Sequence, residues 1–280
     1  RKNKTKGIAI DGVPIRKASE LFGLIHFVFF SPEDLSIIKN GPAERRHFLD
    51  SELCQLDKVY LYQLSNYNKV VLQRNKLLKE LYLHPDYREV LDVLDMQLVQ
   101  YGSALIQRRQ TFAEELGEIV HRIHSQLSGG QEEMELKYEP NVTVDAFAQM
   151  LFANRERDMR LKTTATGPHR DDISFVVNGV DIRKFGSQGQ QRTAALSLKL
   201  SEIELVKRLI GDTPVLLLDD VLSELDSGRQ NYLLNSIENI QTLITCTGLD
   251  EFVNHRFSIN RIYKVTDGSV TVENKQEADR

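Results

Sequence analysis

The 280-residue chain is 41% hydrophobic and 27% charged, and it contains no tryptophan. This composition is typical of a globular protein, and the length suffices for one large or two modest domains. The formal net charge of −4 excludes a strongly basic nucleic-acid binder, so any contact with nucleic acid must be local. The two cysteines, Cys54 and Cys246, have neither metal-ligand spacing nor a disulfide framework. No signal peptide or membrane span is recognisable, and we expect a cytoplasmic protein without a membrane partner.

The N-terminal part and the segment after residue 132 are predicted to contain the sheet. Residues 7–15 indicate a hairpin that turns at Asp11-Gly12, and residues 24–30 indicate a buried strand. A strand at 133–138, a helix at 144–159 and a hairpin at 173–182 follow later in the chain. Between these parts, residues 42–83 and 87–127 show helical periodicity. Two helices of roughly 60 Å each would build a lobe that stands off the sheet.

The break between these two helices is predicted at His84-Pro85-Asp86, and Gly129-Gly130 is predicted to cap the second one. The segment around these glycines, Leu127-Ser128-Gly129-Gly130-Gln131, has the sequence of an ATPase signature motif. The predicted helix ends at this segment, however, and does not begin there. A phosphate site needs a helix N-terminus, so we interpret this segment as a helix cap. His121 and His124 lie three residues apart on the same helix, and without a third ligand nearby we expect a surface or packing role for them.

Two segments near the C-terminal end indicate a nucleotide site. Ser187 followed by Gln190 fits a capping box at the start of a helix that extends to about residue 210. Gly189 would let backbone approach a phosphate at the positive end of that helix. An apolar strand at 214–218 then ends in Asp219 and Asp220. We assign Asp219 to Mg²⁺ and Asp220 to the water that attacks a γ-phosphate.

With these segments in view, the chain resembles the RecF family of recombination and repair ATPases, whose heads belong to the ABC class. The resemblance extends over nearly the whole chain. It includes the segments at residues 30–35, 45–50, 167–172, 187–192 and 216–221. It implies an α/β fold, an ABC-type ATPase head with a mixed sheet that a helical insertion lobe interrupts. The expected boundaries are 1–36 for the first part of the head, 37–166 for the lobe and 167–280 for the rest of the head.

The resemblance also implies function. In the family, the signature segment contacts ATP held by the opposite protomer, which implies a homodimer that forms on ATP binding. On this chain the signature corresponds to Ser187, Gln188, Gly189 and Gln190, and Ser223 and Asp226 match the D-loop. The implied cofactors are ATP and Mg²⁺. The implied task is a DNA clamp at single-strand gaps and on double-stranded DNA, acting in recombinational repair and the SOS response with RecR and RecO.

The main departure from the family is that no P-loop segment occurs in the 280 residues. We therefore expect a fragment, with ATP hydrolysis by the complete protein and not by this chain alone. Two alternatives stay open: an ATP-independent DNA-binding or scaffold module, and the head of another SMC-like ATPase. The strand at 241–247 also lacks a switch histidine. Thr245 and Thr247 could face a phosphate, although we favour a plain strand role for them.

Local basic clusters are the candidates for DNA contact, although each one taken singly is more typical of a solvated face. They are Arg1, Lys2, Lys4, Lys6, Arg16, Lys17, Arg45, Arg46, Arg108, Arg109, Arg155, Arg157, Arg160 and Lys162. His169 and Arg170 follow the turn at Gly167-Pro168, and they either line the nucleotide pocket or pair with Asp171 and Asp172.

Overall fold

The computed structural model describes residues 7–80, 88–247 and 259–273. The first hairpin joins β1 (Ile8–Ile10) to β2 (Val13–Ile15) in antiparallel register. Asp11 and Gly12 both have positive φ, 50° and 81°, as a two-residue hairpin turn requires. The predicted hairpin is therefore confirmed.

A three-stranded parallel sheet forms the centre of the head. It contains β3 (Phe27–Phe30), β7 (Val215–Asp219) and β8 (Thr242–Thr245), with β7 in the middle. The strands alternate between a buried face and a more exposed face, and Phe27, Phe29 and Leu243 are each more than 40% exposed. All three strands point the same way, so their carboxyl ends meet at one edge.

A second sheet is antiparallel and contains β4 (Met134–Glu139), β5 (Asp172–Val177) and β6 (Val180–Asp181). The turn at Asn178-Gly179 has positive φ at both residues, which confirms the predicted hairpin. Strand β4 lies within the range expected for the insertion lobe but pairs along its length with β5 of the head. The chain therefore returns to the sheet of the head before residue 166.

The helical lobe begins with α1 (Leu35–Lys39), α2 (Pro42–Leu56) and α3 (Lys58–Glu80). One continuous helix from 42 to 83 was the wrong prediction. Asp57 has extended backbone, and its carboxylate accepts hydrogen bonds from the N–H groups of Val59 and Tyr60 at 2.8 and 3.1 Å. It caps a new helix there, because aspartate satisfies the unpaired N–H groups of a first turn. His84-Pro85-Asp86 lies outside the described residues.

Helix α4 (Arg88–Leu127) confirms the second long helix, and its 40 residues span about 60 Å. It packs against α3 in the lobe, against strand β4, and against the helix of the head at Gln188–Ile210. The N–H of Gly130 donates to the Ser125 carbonyl at 2.7 Å, which confirms the predicted glycine cap. Within the described residues, no helix combines the length and apolar character needed to cross a lipid bilayer.

The predicted helix at 144–159 is divided into α5 (Phe147–Ala153) and α6 (Arg155–Leu161). Asn154 separates them with a backbone that leaves the helical region, at φ −87° and ψ 0°, and its side-chain amide donates to the Thr166 hydroxyl at 2.9 Å. Three helices and a hairpin follow: α7 (Ile182–Phe185), α8 (Gln188–Ile210), α9 (Ser227–Ser236), and β9 (Ile262–Thr266) paired with β10 (Ser269–Glu273). Sequence reasoning did not predict the last hairpin.

A buried guanidinium joins the lobe to the head. Arg109 of α4 is 2% exposed and donates to the Pro168 carbonyl and the carboxylates of Asp50 and Asp171 at 2.7 to 3.0 Å. A charge buried this deeply is tolerated only when several acceptors surround it, so the position of α4 on the head is tightly specified.

Candidate functional site

The acidic pair lies where the central parallel strand ends. Leu216 and Leu218 of β7 are buried, whereas Asp219 and Asp220 are exposed to solvent. Asp220 has a φ of 51°, an uncommon value for a residue with a side chain. Such backbone strain persists where the surroundings enforce it, and it concentrates at functional sites.

Thr245, at the end of the neighbouring strand β8, enforces this arrangement. Its hydroxyl donates to Asp219 Oδ1 at 2.5 Å and lies 3.2 Å from the N–H of Asp220, which also donates to the Thr245 carbonyl at 3.2 Å. One threonine thus fixes both carboxylate-bearing residues. Thr245 lies in a strand, as predicted. Its hydroxyl also binds Asp219 and Asp220, whereas the sequence had suggested only a contact with a phosphate.

The two residues predicted for the D-loop, Ser223 and Asp226, come shortly after Asp220 in the chain. Ser223 Oγ donates to the Asp220 carbonyl at 2.9 Å and lies 3.3 Å from Asp220 Oδ1. Asp226 caps α9 by accepting the N–H of Arg229 at 3.0 Å, and it accepts a second bond from the Arg229 guanidinium at 2.6 Å. The Arg229 N–H and then the guanidinium charge hold the pKa of the Asp226 carboxyl below its usual value. Asp226 is therefore a carboxylate at neutral pH.

The predicted signature begins α8 as expected. Ser187 Oγ accepts the N–H of Gln190 at 3.2 Å, and Gln190 Oε1 accepts the N–H of Ser187 at 3.0 Å, which confirms the capping box. Ser187, Gln188 and Gly189 are exposed, whereas most of the helix after Gln190 is buried. A Cβ on Gly189 would meet nothing closer than Ser187 Oγ at 3.9 Å. Internal packing therefore does not require glycine at this position.

The structure brings the signature helix next to the D-loop. The Arg229 guanidinium donates to Thr193 Oγ1 of α8 at 2.6 Å while it holds Asp226. A cavity of about 50 Å³ also lies between α8, the segment after β3 and the D-loop, lined by residues that include Ser31, Arg192, Lys199, Val221 and Leu225. The helix that begins with the predicted signature therefore contacts the segment predicted as the D-loop, through Thr193 and Arg229. Sequence reasoning missed Arg229, because a single arginine inside a helix gives no distinctive pattern.

The segment after β3 shares this edge. Phe30 is paired with Leu218, so Ser31 follows β3 at the level where Asp219 ends β7. Asp34 accepts the N–H of Ser31 at 2.8 Å, and burial raises the pKa of the Asp34 carboxyl. This explains locally why serine and aspartate occur three residues apart in this segment.

Five of the fourteen basic residues proposed for DNA are used inside the protein, and four more, Arg1, Lys2, Lys4 and Lys6, lie outside the described residues. Arg45 forms a two-pronged pair with Asp172 at 2.5 and 3.1 Å, and Arg46 donates to the Asp171 carbonyl at 2.7 Å. Arg155 pairs with Asp92 and Asp95 at 2.6 and 2.7 Å. Arg108 lies 3.5 Å from Asp57, and Arg109 is buried as described above. Arg157, Arg160 and Lys162, which lie in and just after α6, have no ion pair among those found in the described residues.

His169 has a structural environment. Its Nδ1 lies 2.7 Å from the Tyr67 hydroxyl and its Nε2 lies 2.9 Å from the Thr164 carbonyl. Burial lowers the pKa of His169 to about 4, so the ring is neutral at physiological pH. The two ring nitrogens therefore contact Tyr67 and the Thr164 carbonyl of the helical lobe, and neither bond is to Asp219 or Asp220.

The donor set at the edge suits a magnesium–nucleotide complex. Asp219, Asp220, Ser223 and Thr245 present hard oxygen atoms, and magnesium usually takes one or two carboxylates plus phosphate oxygens instead of a full protein cage. Among the described residues, no group of three or more His, Cys, Asp or Glu side chains is placed to hold a metal. These oxygen atoms therefore suit the Mg²⁺ and ATP that the sequence predicts.

Comparisons with known proteins agree with these observations. No protein-family model matches the chain. It is 61% identical over 276 residues to the DNA replication and repair protein RecF of Lachnospira eligens, with 98% of this chain and 76% of that one covered. The RecF proteins of Agathobacter rectalis and Clostridium perfringens are 61% and 42% identical over 272 and 274 residues, each with 75% of the relative covered. The chain thus spans about three quarters of the length of these relatives.

Two solved structures are also similar. They are described as the recombination mediator protein RecF-ATP and RecF-ATPrS in the RecFOR pathway. Both are 35% identical to this chain, with TM-scores of 0.88 and 0.86 over 98% and 96% of it, and 74% and 73% of those chains are covered. The fold is therefore that of a RecF-type ATPase head with a helical lobe, and the chain belongs to the RecF family of DNA replication and repair proteins.

Proposed function

We propose that this chain is the body of an ATP-dependent DNA clamp, in which two copies close around two ATP molecules. The observation that carries the proposal is that both motif groups are exposed at the surface of the head. Asp219 and Asp220 leave a buried strand, and Ser187 and Gly189 begin a buried helix, yet all four face solvent. Polar groups that are positioned so firmly and left uncovered indicate a ligand or a second protomer.

Each residue has a role in this proposal. Bound ATP with Mg²⁺ supplies the γ-phosphoryl group whose transfer to water drives opening of the clamp. Asp219 holds the metal, and Asp220 orients the water. Ser187, Gln188, Gly189 and Gln190 face the triphosphate bound by the partner, and Ser223 and Asp226 position the D-loop at the same interface. The open space around Gly189 supports this, because only an external group uses the close backbone approach that glycine allows.

The phosphate-cradling P-loop does not occur among the 280 residues, so we propose that it comes from other residues of the functional protein. We retain the division into 1–36 and 167–280 for the head and 37–166 for the lobe. Strand β4 belongs to this lobe by sequence but strengthens its attachment to the head through β5.

The DNA-binding part of the proposal rests on family membership. The similar solved structures are described as part of the RecFOR pathway, which supports RecR and RecO as partners. Single-strand gaps and double-stranded DNA are the substrates that the family resemblance implies. Because Arg45, Arg46 and Arg109 are engaged internally, DNA contact falls to exposed cations such as Arg157 and Arg160. Exposed lysine and arginine bind phosphates through a term that weakens with salt.

The test is self-association measured by light scattering with and without ATP and Mg²⁺. The protein is a chimera in which the parts of the Lachnospira eligens relative outside the aligned region are joined to this chain and supply the P-loop. We expect a monomer without ATP and a dimer with it. A mass that does not respond to ATP would contradict the proposal and favour the ATP-independent scaffold.

The substitution Asp220→Asn refines the test. It removes the water-orienting carboxylate and keeps the size of the side chain, so hydrolysis stops while ATP still bridges the copies. We expect a dimer that persists after the wild-type dimer has dissociated. An unchanged hydrolysis rate would remove Asp220 from its assigned role.

A further inference from the structure

A chain of polar contacts leads from the signature cap into the interior. Gln190 closes the capping box with its Oε1, and its Nε2 donates to Glu132 Oε1 at 2.9 Å. The second oxygen of Glu132 lies 3.1 Å from Nε2 of His124. His124 is 0% exposed and lies near the C-terminal end of α4. The exposed cap is therefore held from behind by a carboxylate and a buried ring.

The chain continues on the other side of the ring. Nδ1 of His124 lies 3.0 Å from Ser197 Oγ, which is also 2.7 Å from the Thr193 carbonyl on α8. The Thr193 hydroxyl accepts from Arg229, and Arg229 holds Asp226. The contacts thus connect the signature cap to the D-loop through one residue of the long lobe helix, in parallel with the direct bond from the Thr193 hydroxyl to the Gly189 carbonyl at 2.9 Å.

The ring chemistry suits this position. Burial lowers the pKa of His124, although the hydrogen bond to Glu132 opposes this, and the charges of Arg229 and His121 lower it further. The ring is neutral at physiological pH, so it carries one N–H and one acceptor nitrogen. An N–H on Nε2 suits the carboxylate. The single hydroxyl hydrogen of Ser197 goes either to the bare Nδ1 or to the Thr193 carbonyl, so the bond to Glu132 is the firmer anchor of the ring. An apolar residue of similar size would leave Glu132 without this donor.

We propose that His124 is a positioning residue for the nucleotide-facing end of the head: through Glu132 it orients Gln190 and the Ser187 cap, and through Ser197 and Thr193 it links that cap to Arg229 and the D-loop. The same helix extends about 60 Å into the lobe, so a displacement of the lobe is transmitted to the signature through this ring. The inference rests on the proposed ATP-dependent self-association.

The experiment titrates ATP against dimer formation in the chimera described above and compares four variants with the wild type. His124→Leu removes both ring contacts. Glu132→Ala removes the link to Gln190 from a partly exposed position that leaves the core intact. His124→Gln restores a donor toward Glu132. His121→Gln, on the same helix, is the matched control, because His121 is exposed and the hydrogen bond found for its ring within the described residues is to the Met134 carbonyl, at 3.2 Å.

We expect His124→Leu and Glu132→Ala to raise the ATP concentration at half-maximal dimerisation about tenfold, the effect of one charge-assisted hydrogen bond. His124→Gln should recover most of the loss, and His121→Gln should match the wild type. Thermal unfolding without ATP is measured in parallel, because a merely structural residue would change only that quantity.

The outcomes separate the two proposals. A wild-type chimera that stays monomeric with ATP overturns the proposed function and this inference with it. A wild type that dimerises, together with a folded Glu132→Ala variant that has the wild-type ATP dependence, overturns this inference alone. The inference would also be overturned if His124→Gln needed as much ATP for half-maximal dimerisation as His124→Leu.

Discussion

Glu52 and Glu202 form a buried acidic pair whose energetic effect can be measured. They lie on α2 and α8 and are 6% and 1% exposed, and one lysine, Lys199, bonds to Glu202 at 2.5 Å. Burial, and then the charge of Glu202, raise the pKa of Glu52 well above its ordinary 4.5. We infer that Glu52 keeps its proton in the folded protein at pH values where the unfolded chain has lost it.

The substitution Glu52→Gln removes this linkage and keeps the shape. Because the folded-state pKa is raised, the contribution of Glu52 to stability is fully present below pH 4.5 and is lost as the pH rises. Each pH unit over which the folded protein keeps the Glu52 proton and the unfolded chain has lost it costs the wild type up to about 1.4 kcal/mol, so the stability advantage of Glu52→Gln should grow as the pH rises above 4.5. At pH 4 the two proteins should be nearly equal.

The assay is urea unfolding of both proteins at several pH values between 4 and 7, with Glu44→Gln as the control. Glu44 lies on the same helix but is exposed, so its substitution should give a difference that does not grow with pH. A stability difference between Glu52→Gln and the wild type that stays constant over this range would refute the reasoning.

Two further predictions concern the site and the lobe. Thr245→Val should lower ATP hydrolysis by the chimera about tenfold and change the unfolding free energy by less than about 1 kcal/mol, because valine keeps the strand but loses the hydroxyl on Asp219; wild-type turnover would contradict this. Gly102→Ala should destabilise the protein by about 1 to 3 kcal/mol in urea unfolding, because the new methyl group would lie 2.5 Å from the Phe147 ring. Gly117→Ala, whose Cβ would meet nothing closer than 3.4 Å, is the matched control, and equal effects of the two substitutions would contradict the packing argument.

Local sequence patterns predicted the parts of this fold whose causes are themselves local. The hairpin at Asn178-Gly179, the capping box at Ser187 and the strand that ends at Asp219 each depend on residues within a few positions. The single helix expected at 42–83 was wrong because Asp57, which breaks it, sits in an otherwise helical pattern. An aspartate can either lie within a helix or cap a new one, and its identity in the sequence does not distinguish the two cases.

Contacts between distant segments could not be predicted in this way. Thr245 contacts Asp220, which lies 25 residues earlier in the sequence, and Arg229 contacts Thr193, which lies 36 residues earlier. Arg45 pairs with Asp172 across 127 residues, which removed a basic pair from the DNA candidates. The assigned roles of Ser187, Asp219 and Asp220 remain predictions that the geometry supports.

The most direct test of the central claim asks whether one ATP site is built from two copies. The chimera is prepared with Ser187→Arg, which blocks the signature, and separately with Asp219→Asn, which removes the metal ligand. Each variant alone should be inactive. In a symmetric dimer, an equal mixture should recover about a quarter of wild-type hydrolysis, because half the dimers are mixed and each has one intact site of two. A mixture as inactive as its components would contradict the account.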